Sequence, residues 1–124
     1  MNQSQSIYEL VGDDQLRQLT HHFYQEVAKT PNLRRLYPDD LGPAETRLFL
    51  FLLQVFGGPH TYSEQRGHPR LKMRHFTWVI DESMRDYWLN AMFVAIDKLK
   101  LNSQVRDQMM GYFVKVANHM INHA

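Results

Sequence analysis

The chain has 124 residues, a formal net charge of +1, seven histidines, no cysteine, and is 44 % hydrophobic and 12 % aromatic. That length suits one domain over 1–124 with a single core, and the hydrophobic content excludes a disordered chain. The missing cysteine excludes a disulfide framework, a thiolate metal site and a cysteine nucleophile, and so small a charge does not argue for nucleic acid.

Met1 to Ser6 has neither the basic region nor the apolar stretch of a signal peptide, so a cytoplasmic protein is expected. Ser6-Ile7-Tyr8-Glu9 has capping-box spacing and predicts a short turn. After Asp13-Asp14, the stripe of Leu16, Leu19, Phe23 and Val27 predicts a helix. Thr30-Pro31 starts a short turn to Leu36. Pro43 suits a first helical residue, and that helix runs through Leu48–Leu53 to a stop at Gly57-Gly58. It is apolar nearly all round, so it is sandwiched or faces a bound apolar group. The Leu48–Leu53 run is the longest apolar stretch and far short of the roughly 18 residues a membrane span needs.

Gly58 to Pro69 reads as a long polar loop, and such loops are usually functional. Pro69 then opens a short helical turn to His75. All five prolines lie between positions 31 and 69, which leaves the C-terminal part free for long helices. One has Asp81 as candidate N-cap and the stripe of Met84, Trp88, Ala91, Met92, Ala95, Ile96 and Leu99. The other has Ser103 as candidate cap and the stripe of Val105, Met109, Tyr112, Phe113, Val116, Ala117, Met120 and Ile121. A short link at Leu101-Asn102 makes this pair antiparallel. No strand pair is visible, so the fold class is all-α.

Several chemistries lack their residues. No zinc-ligand spacing links the histidines, there is no GxSxG, and no GK[ST] follows Gly57-Gly58. A lone His is more often a surface or satisfied core residue than a ligand. Arg66, Arg70, Lys72 and Arg74 surround His75; they form a solvated basic face or meet the carboxylates of a bound ligand. Tyr24, Tyr37 and Trp88 fall on separate segments. Plain core packing accounts for Phe23, but buried Tyr and Trp need partners for O–H and N–H, so this set suggests a cavity with donors aimed inward.

The string Tyr62-Ser63-Glu64-Gln65-Arg66-Gly67-His68-Pro69-Arg70-Leu71-Lys72-Met73-Arg74-His75 strongly resembles group II truncated haemoglobins. His22-Phe23-Tyr24, Leu33-Arg34-Arg35-Leu36-Tyr37-Pro38, Gly57-Gly58-Pro59 and Asp86-Tyr87-Trp88-Leu89 fit the same family. The resemblance runs from about Tyr8 to the last helix. Gly12 is followed by Asp13, where the family often has a second glycine, and Phe76-Thr77-Trp78 departs from the pattern after His75.

The resemblance implies a two-over-two helical sandwich around haem b, iron protoporphyrin IX. His75 takes the position of the proximal iron ligand, its second ring nitrogen donating to a backbone carbonyl about one turn earlier, with Leu71 against the haem face. Tyr24, Tyr37 and Trp88 take the positions of distal donors to the charge that dioxygen draws from ferrous iron. Ala44 stands where many globins carry a distal His, and Leu48 lines the same helix face one turn on. Arg47, Tyr62 and Arg74 are the candidates for holding the haem propionates. The implied ligands are dioxygen, nitric oxide, carbon monoxide or peroxide. Slow release from a three-donor pocket suits nitric oxide dioxygenation or peroxide reduction better than bulk transport. With no flavin or nicotinamide motif in the sequence, electrons are expected from a separate reductase. The rival reading is a haem-free globin-fold sensor or helical interaction module. It is disfavoured by Tyr24, Tyr37 and Trp88, where a dry core would use Phe or Leu.

Overall fold

The structure, a computed structural model, describes residues 5–66 and 80–121. Its elements are α1 (Ile7–Lys29), α2 (Pro31–Arg34), α3 (Gly42–Val55), α4 (Thr61–Arg66), α5 (Glu82–Lys98) and α6 (Ser103–Met120). Every element among the described residues is helical, as the sequence predicts.

The caps explain where the helices begin. Ser6 accepts from the Glu9 backbone N–H, and the Glu9 carboxylate accepts from the Ser6 N–H, completing the capping box. The two predicted N-terminal pieces are one element with a kink at Gly12, whose φ of 83° a side chain would oppose. Asp81 caps α5 by accepting from the Met84 N–H. The cap of α6 is Asn102, which accepts from the Val105 N–H, and not Ser103; Asn and Ser are adjacent and both cap well, so composition does not separate them. The larger departure is α4. Thr61–Arg66 is a helix where the sequence reads as loop, and it turns Tyr62 into the core at 4 % exposure.

Backbone and side-chain contacts fix how the helices run. The Tyr8 N–H donates to the Phe56 carbonyl, the Arg17 guanidinium lies 4.1 Å from the Phe49 ring centroid, and His21 Nδ1 is 3.4 Å from a Glu45 oxygen. Advancing along α1 therefore means retreating along α3, so the pair is antiparallel. In the same way, Arg85 at the start of α5 donates to the Asn118 side chain at the end of α6, and Arg106 near the start of α6 pairs with Asp97 near the end of α5. α1 packs across α5, and the two pairs meet as the expected two-over-two sandwich. The core lies between them, with Leu16, Leu19, Phe23, Val27, Leu52, Met92, Ile96, Met109 and Phe113 at 0–1 % exposure. Broad apolarity on α3 is used on several sides: Phe49, Phe51, Leu52 and Leu53 are buried, and Leu48 and Leu50 half-buried. None of the helices among the described residues is long and apolar enough to cross a membrane.

The N-terminal turn packs closely on the end of α3 at Gly57 and Gly58; a Cβ on Gly57 would lie 2.7 Å from the Ser6 Cβ. A Cβ on Gly58 would lie 2.7 Å from the Tyr8 ring and 2.9 Å from the Leu53 carbonyl, which also accepts the Gly58 N–H. Exposed Gly111 in α6 is the opposite case, with nothing within 4 Å of such a Cβ. Gly58→Ala is expected to lower stability by about 1–3 kcal/mol through overpacking. Gly111→Ala should raise it by roughly 0.5–1 kcal/mol through helix propensity. Thermal melts of the two variants check the opposite signs.

Candidate functional site

Rings from four segments converge at one side of the core. Phe23 and Tyr24 are neighbours on α1, Tyr37 follows α2, Trp88 sits on α5 and Phe113 on α6. Phe23 meets Tyr24 edge-on with centroids 5.0 Å apart and Trp88 at 5.6 Å. Tyr24 meets Tyr37 at 5.5 Å with ring planes at 89°. These T-shaped contacts set a positive ring edge on a negative ring face, which fixes ring orientation as well as position. α1 can present both Phe23 and Tyr24 because it packs on both α3 and α5. Tyr37 is set by the turn after α2, where Arg34 Nη1 donates to the Tyr37 and Pro38 carbonyls and Nη2 to that of Asp39.

The polar ends of these rings have different fates. The Tyr24 hydroxyl donates to that of Tyr37. Burial holds Tyr24 well above the usual phenol range, and the charge and hydrogen bond of Tyr37 add to this; Arg47 acts weakly the other way. Burial pushes Tyr37 up to about 12 against the small lowering from the Tyr24 hydrogen bond. As a residue Tyr37 is half-buried; the inward position of its hydroxyl beside Tyr24 is what desolvates it. Trp88 is 7 % exposed, yet nothing among the described residues accepts from its indole N–H. No buried side-chain nitrogen or oxygen among these residues lacks a partner, so this N–H must reach accessible space. It is a donor held by the core with no acceptor among the described residues.

Both phenols remain neutral at ordinary pH, and the sign of the linkage follows. A folded-state pKa raised above the unfolded value of 10.0 contributes stability that is fully present below pH 10 and lost as pH rises through about 12. The phenolate absorbance of Tyr37 is therefore expected only near pH 12. An ultraviolet titration of the folded protein, run beside the Tyr37→Phe variant, checks it. A difference between the two curves centred near pH 10 would place the hydroxyl in water.

The other predicted residues divide. Ala44 is buried in the first turn of α3, and Leu48, one turn on, is half-buried. Arg47 is exposed, but close enough for its charge to act on Tyr24, as does that of Glu45. Tyr62 is buried on α4 and meets Phe51 edge-on with ring centroids 5.4 Å apart, a separate contact from the Tyr24 cluster. Leu71, Arg74 and His75, with His68, lie outside the described residues. Glu45, which pairs with His21 and bears on Tyr24, is a neighbour of the site that sequence reasoning missed; its only signal was its place beside Ala44.

The donor set fits haem with a small ligand. Such a ligand needs an apolar wall with a few convergent donors. Trp88 brings an indole N–H, Tyr24 and Tyr37 bring neutral phenols that interact with each other, and Ala44 and Leu48 are apolar.

The chain matches the bacterial-like globin family over residues 6–122. It is 37 % identical over 115 residues to the group 2 truncated hemoglobin YjbI of Bacillus subtilis, an alignment that covers 93 % of this chain and 87 % of that protein. It is similar to the structure of a thermostable hemoglobin from the actinobacterium Thermobifida fusca, with a TM-score of 0.92 and 48 % identity, covering 95 % of this chain and 98 % of that one. The truncated oxygen-avid haemoglobin of Bacillus subtilis is similar at a TM-score of 0.91 and 36 % identity, over 95 % of this chain and all of that one.

Proposed function

Because the chain belongs to the bacterial-like globin family, and within it to the group 2 truncated haemoglobins, we propose that it is a haem protein that binds dioxygen and other diatomic ligands. The reading takes the whole chain as one globin domain and haem b as its cofactor. Haem supplies an iron with one position for a protein ligand and one open to a small molecule.

His75 is the proposed iron ligand and Leu71 the residue beneath the haem; Arg47, Tyr62 and Arg74 hold the propionates. Trp88, Tyr24 and Tyr37 orient and hold a ligand that carries partial negative charge, each charge-assisted bond contributing about 1.5–3 kcal/mol. Ala44 leaves room beside that ligand, and Leu48 keeps water from it. The observation that carries the reading is the Trp88 N–H, fixed by Phe23 and Phe113 and accepted by nothing among the described residues.

Donors that retain an anionic ligand slow its release, which suits redox work better than transport. We take nitric oxide dioxygenation or peroxide reduction as the activity, with dioxygen, nitric oxide, carbon monoxide or peroxide as ligands and a separate cytoplasmic reductase as electron source. The oxygen-avid relative from Bacillus subtilis supports tight binding. A haem-free module has no comparable support, since it leaves the Trp88 donor without purpose.

The visible absorption spectrum of protein expressed with adequate haem tests the reading. A strong haem band that shifts with carbon monoxide is expected; its absence would sink the proposal. Stopped-flow mixing of the dioxygen-loaded protein with nitric oxide, beside turnover of peroxide by the ferric protein, separates the two activities.

A further inference from the structure

The ring cluster does not end at the pocket. Trp88 meets Phe113 at 5.9 Å, and Phe113 meets Tyr112 edge-on at 5.3 Å. Tyr112 in turn touches Phe56 at 5.2 Å. Phe113 is 1 % exposed, whereas Tyr112 is half-buried, so the chain of rings runs from buried Trp88 to the edge of the molecule. We infer that Trp88, Phe113 and Tyr112 form a one-electron path, and that Tyr112 is oxidised when a peroxide is reduced at the pocket. This rests on the haem reading above.

The chemistry of the rings selects the endpoints. Indole and phenol give up an electron far more readily than a phenyl ring. Trp88 and Tyr112 are therefore the stopping points, and Phe113 is the packed bridge between them. Contact through one buried ring keeps the tunnelling distance short and free of water. A phenol must also lose its proton as it loses its electron. Tyr112 has no hydroxyl partner among the described residues and is only half-buried, so its proton passes to water at the molecular edge. Tyr24 is less suited, because it is buried and its proton is committed to Tyr37. Tyr87 and Tyr8 make no ring contact with this path among the described residues.

The step balances. Hydrogen peroxide takes two electrons and two protons and leaves as two waters. One of the two electrons would come from bound haem; Tyr112 supplies the other through Trp88 and becomes a neutral phenoxyl radical as its proton goes to water. A one-electron reductant of the ascorbate class then restores both centres.

The test uses the full chain with ferric haem bound, hydrogen peroxide and a nitroso spin trap, followed by peptide mapping. The expected result is an adduct on Tyr112. Tyr112→Phe, which keeps the ring and its packing, should lose it, and Trp88→Phe should lose most of it while Tyr112 is still present. An adduct on Tyr24 or Tyr37 in place of Tyr112 overturns the path. So does an undiminished Tyr112 adduct in haem-loaded Trp88→Phe, which would mean direct attack from solution. A haem band with no Tyr112 adduct overturns this inference alone; no haem band in the unmodified protein overturns it together with the reading beneath it.

Discussion

A His75→Ala variant is expected to emerge with little or no haem, while His68→Ala keeps its full complement. Both histidines lie in the motif that resembles the family's proximal segment, seven residues apart, or about two helical turns. On the proposed reading His75, and not His68, is the protein ligand to iron. A neutral imidazole binds iron directly, and its loss leaves haem held by apolar contact and propionate charge alone. Removing just the outer partner of a metal ligand costs roughly 10–100-fold in affinity, so losing the ligand itself should exceed that. Haem per chain by absorbance, and the rate of haem transfer to a scavenging globin, give the two readings. Equal loss in both variants would show that the ligand has been misassigned. Added imidazole provides a second check: it should restore a haem band to His75→Ala.

The sequence carries the helical frame well because that frame rests on local rules. Ser6 with Glu9, Asp81, and Pro43 near the start of α3 are short-range signals, and each acts where it stands. The stripes on α5 and α6 likewise point inward, from Met84 and Trp88 to Ile96 and from Val105 to Met120. α4 was hidden because Tyr62, its buried apolar residue, sits among polar neighbours in the sequence, and a single turn and a half leaves no period to read. Gly12 was legible as a break but not as a kink within one element, since a positive φ reverses the chain locally without saying whether helix resumes on the same axis.

The site was less legible for a physical reason. Residue type marks Tyr24, Tyr37 and Trp88 as polar-tipped, but not which polar tips are already satisfied within the protein. Tyr24 and Tyr37 stand on different segments and meet where α1 packs on α2 and Arg34 binds the carbonyls of the turn that carries Tyr37. Their mutual hydrogen bond makes three nominal donors unequal. Nor could spacing reveal that Phe23 would face Trp88 while its neighbour Tyr24 turns to Tyr37, which depends on how α1 crosses α5.

That inequality sets the last prediction. Trp88→Phe is expected to speed dioxygen release by ten- to a hundredfold, and Tyr24→Phe by less. The Trp88 N–H competes with no acceptor among the described residues, so a ligand gains its whole hydrogen bond. A charge-assisted bond contributes about 1.5–3 kcal/mol, which is that range in rate when release alone changes. The Tyr24 hydroxyl must first leave Tyr37, so the ligand gains only the difference between two bonds. Phe keeps an aromatic ring between Phe23 and Phe113, which limits the collapse that a smaller residue would cause. Carbon monoxide, which takes up little negative charge, is the control, and its release should change far less than that of dioxygen in the same variant. Stopped-flow displacement of both ligands measures the two rates. An unchanged dioxygen rate in Trp88→Phe removes Trp88 from the donor set, and a larger effect from Tyr24→Phe would mean that the Tyr24–Tyr37 bond opens at little cost when a ligand arrives.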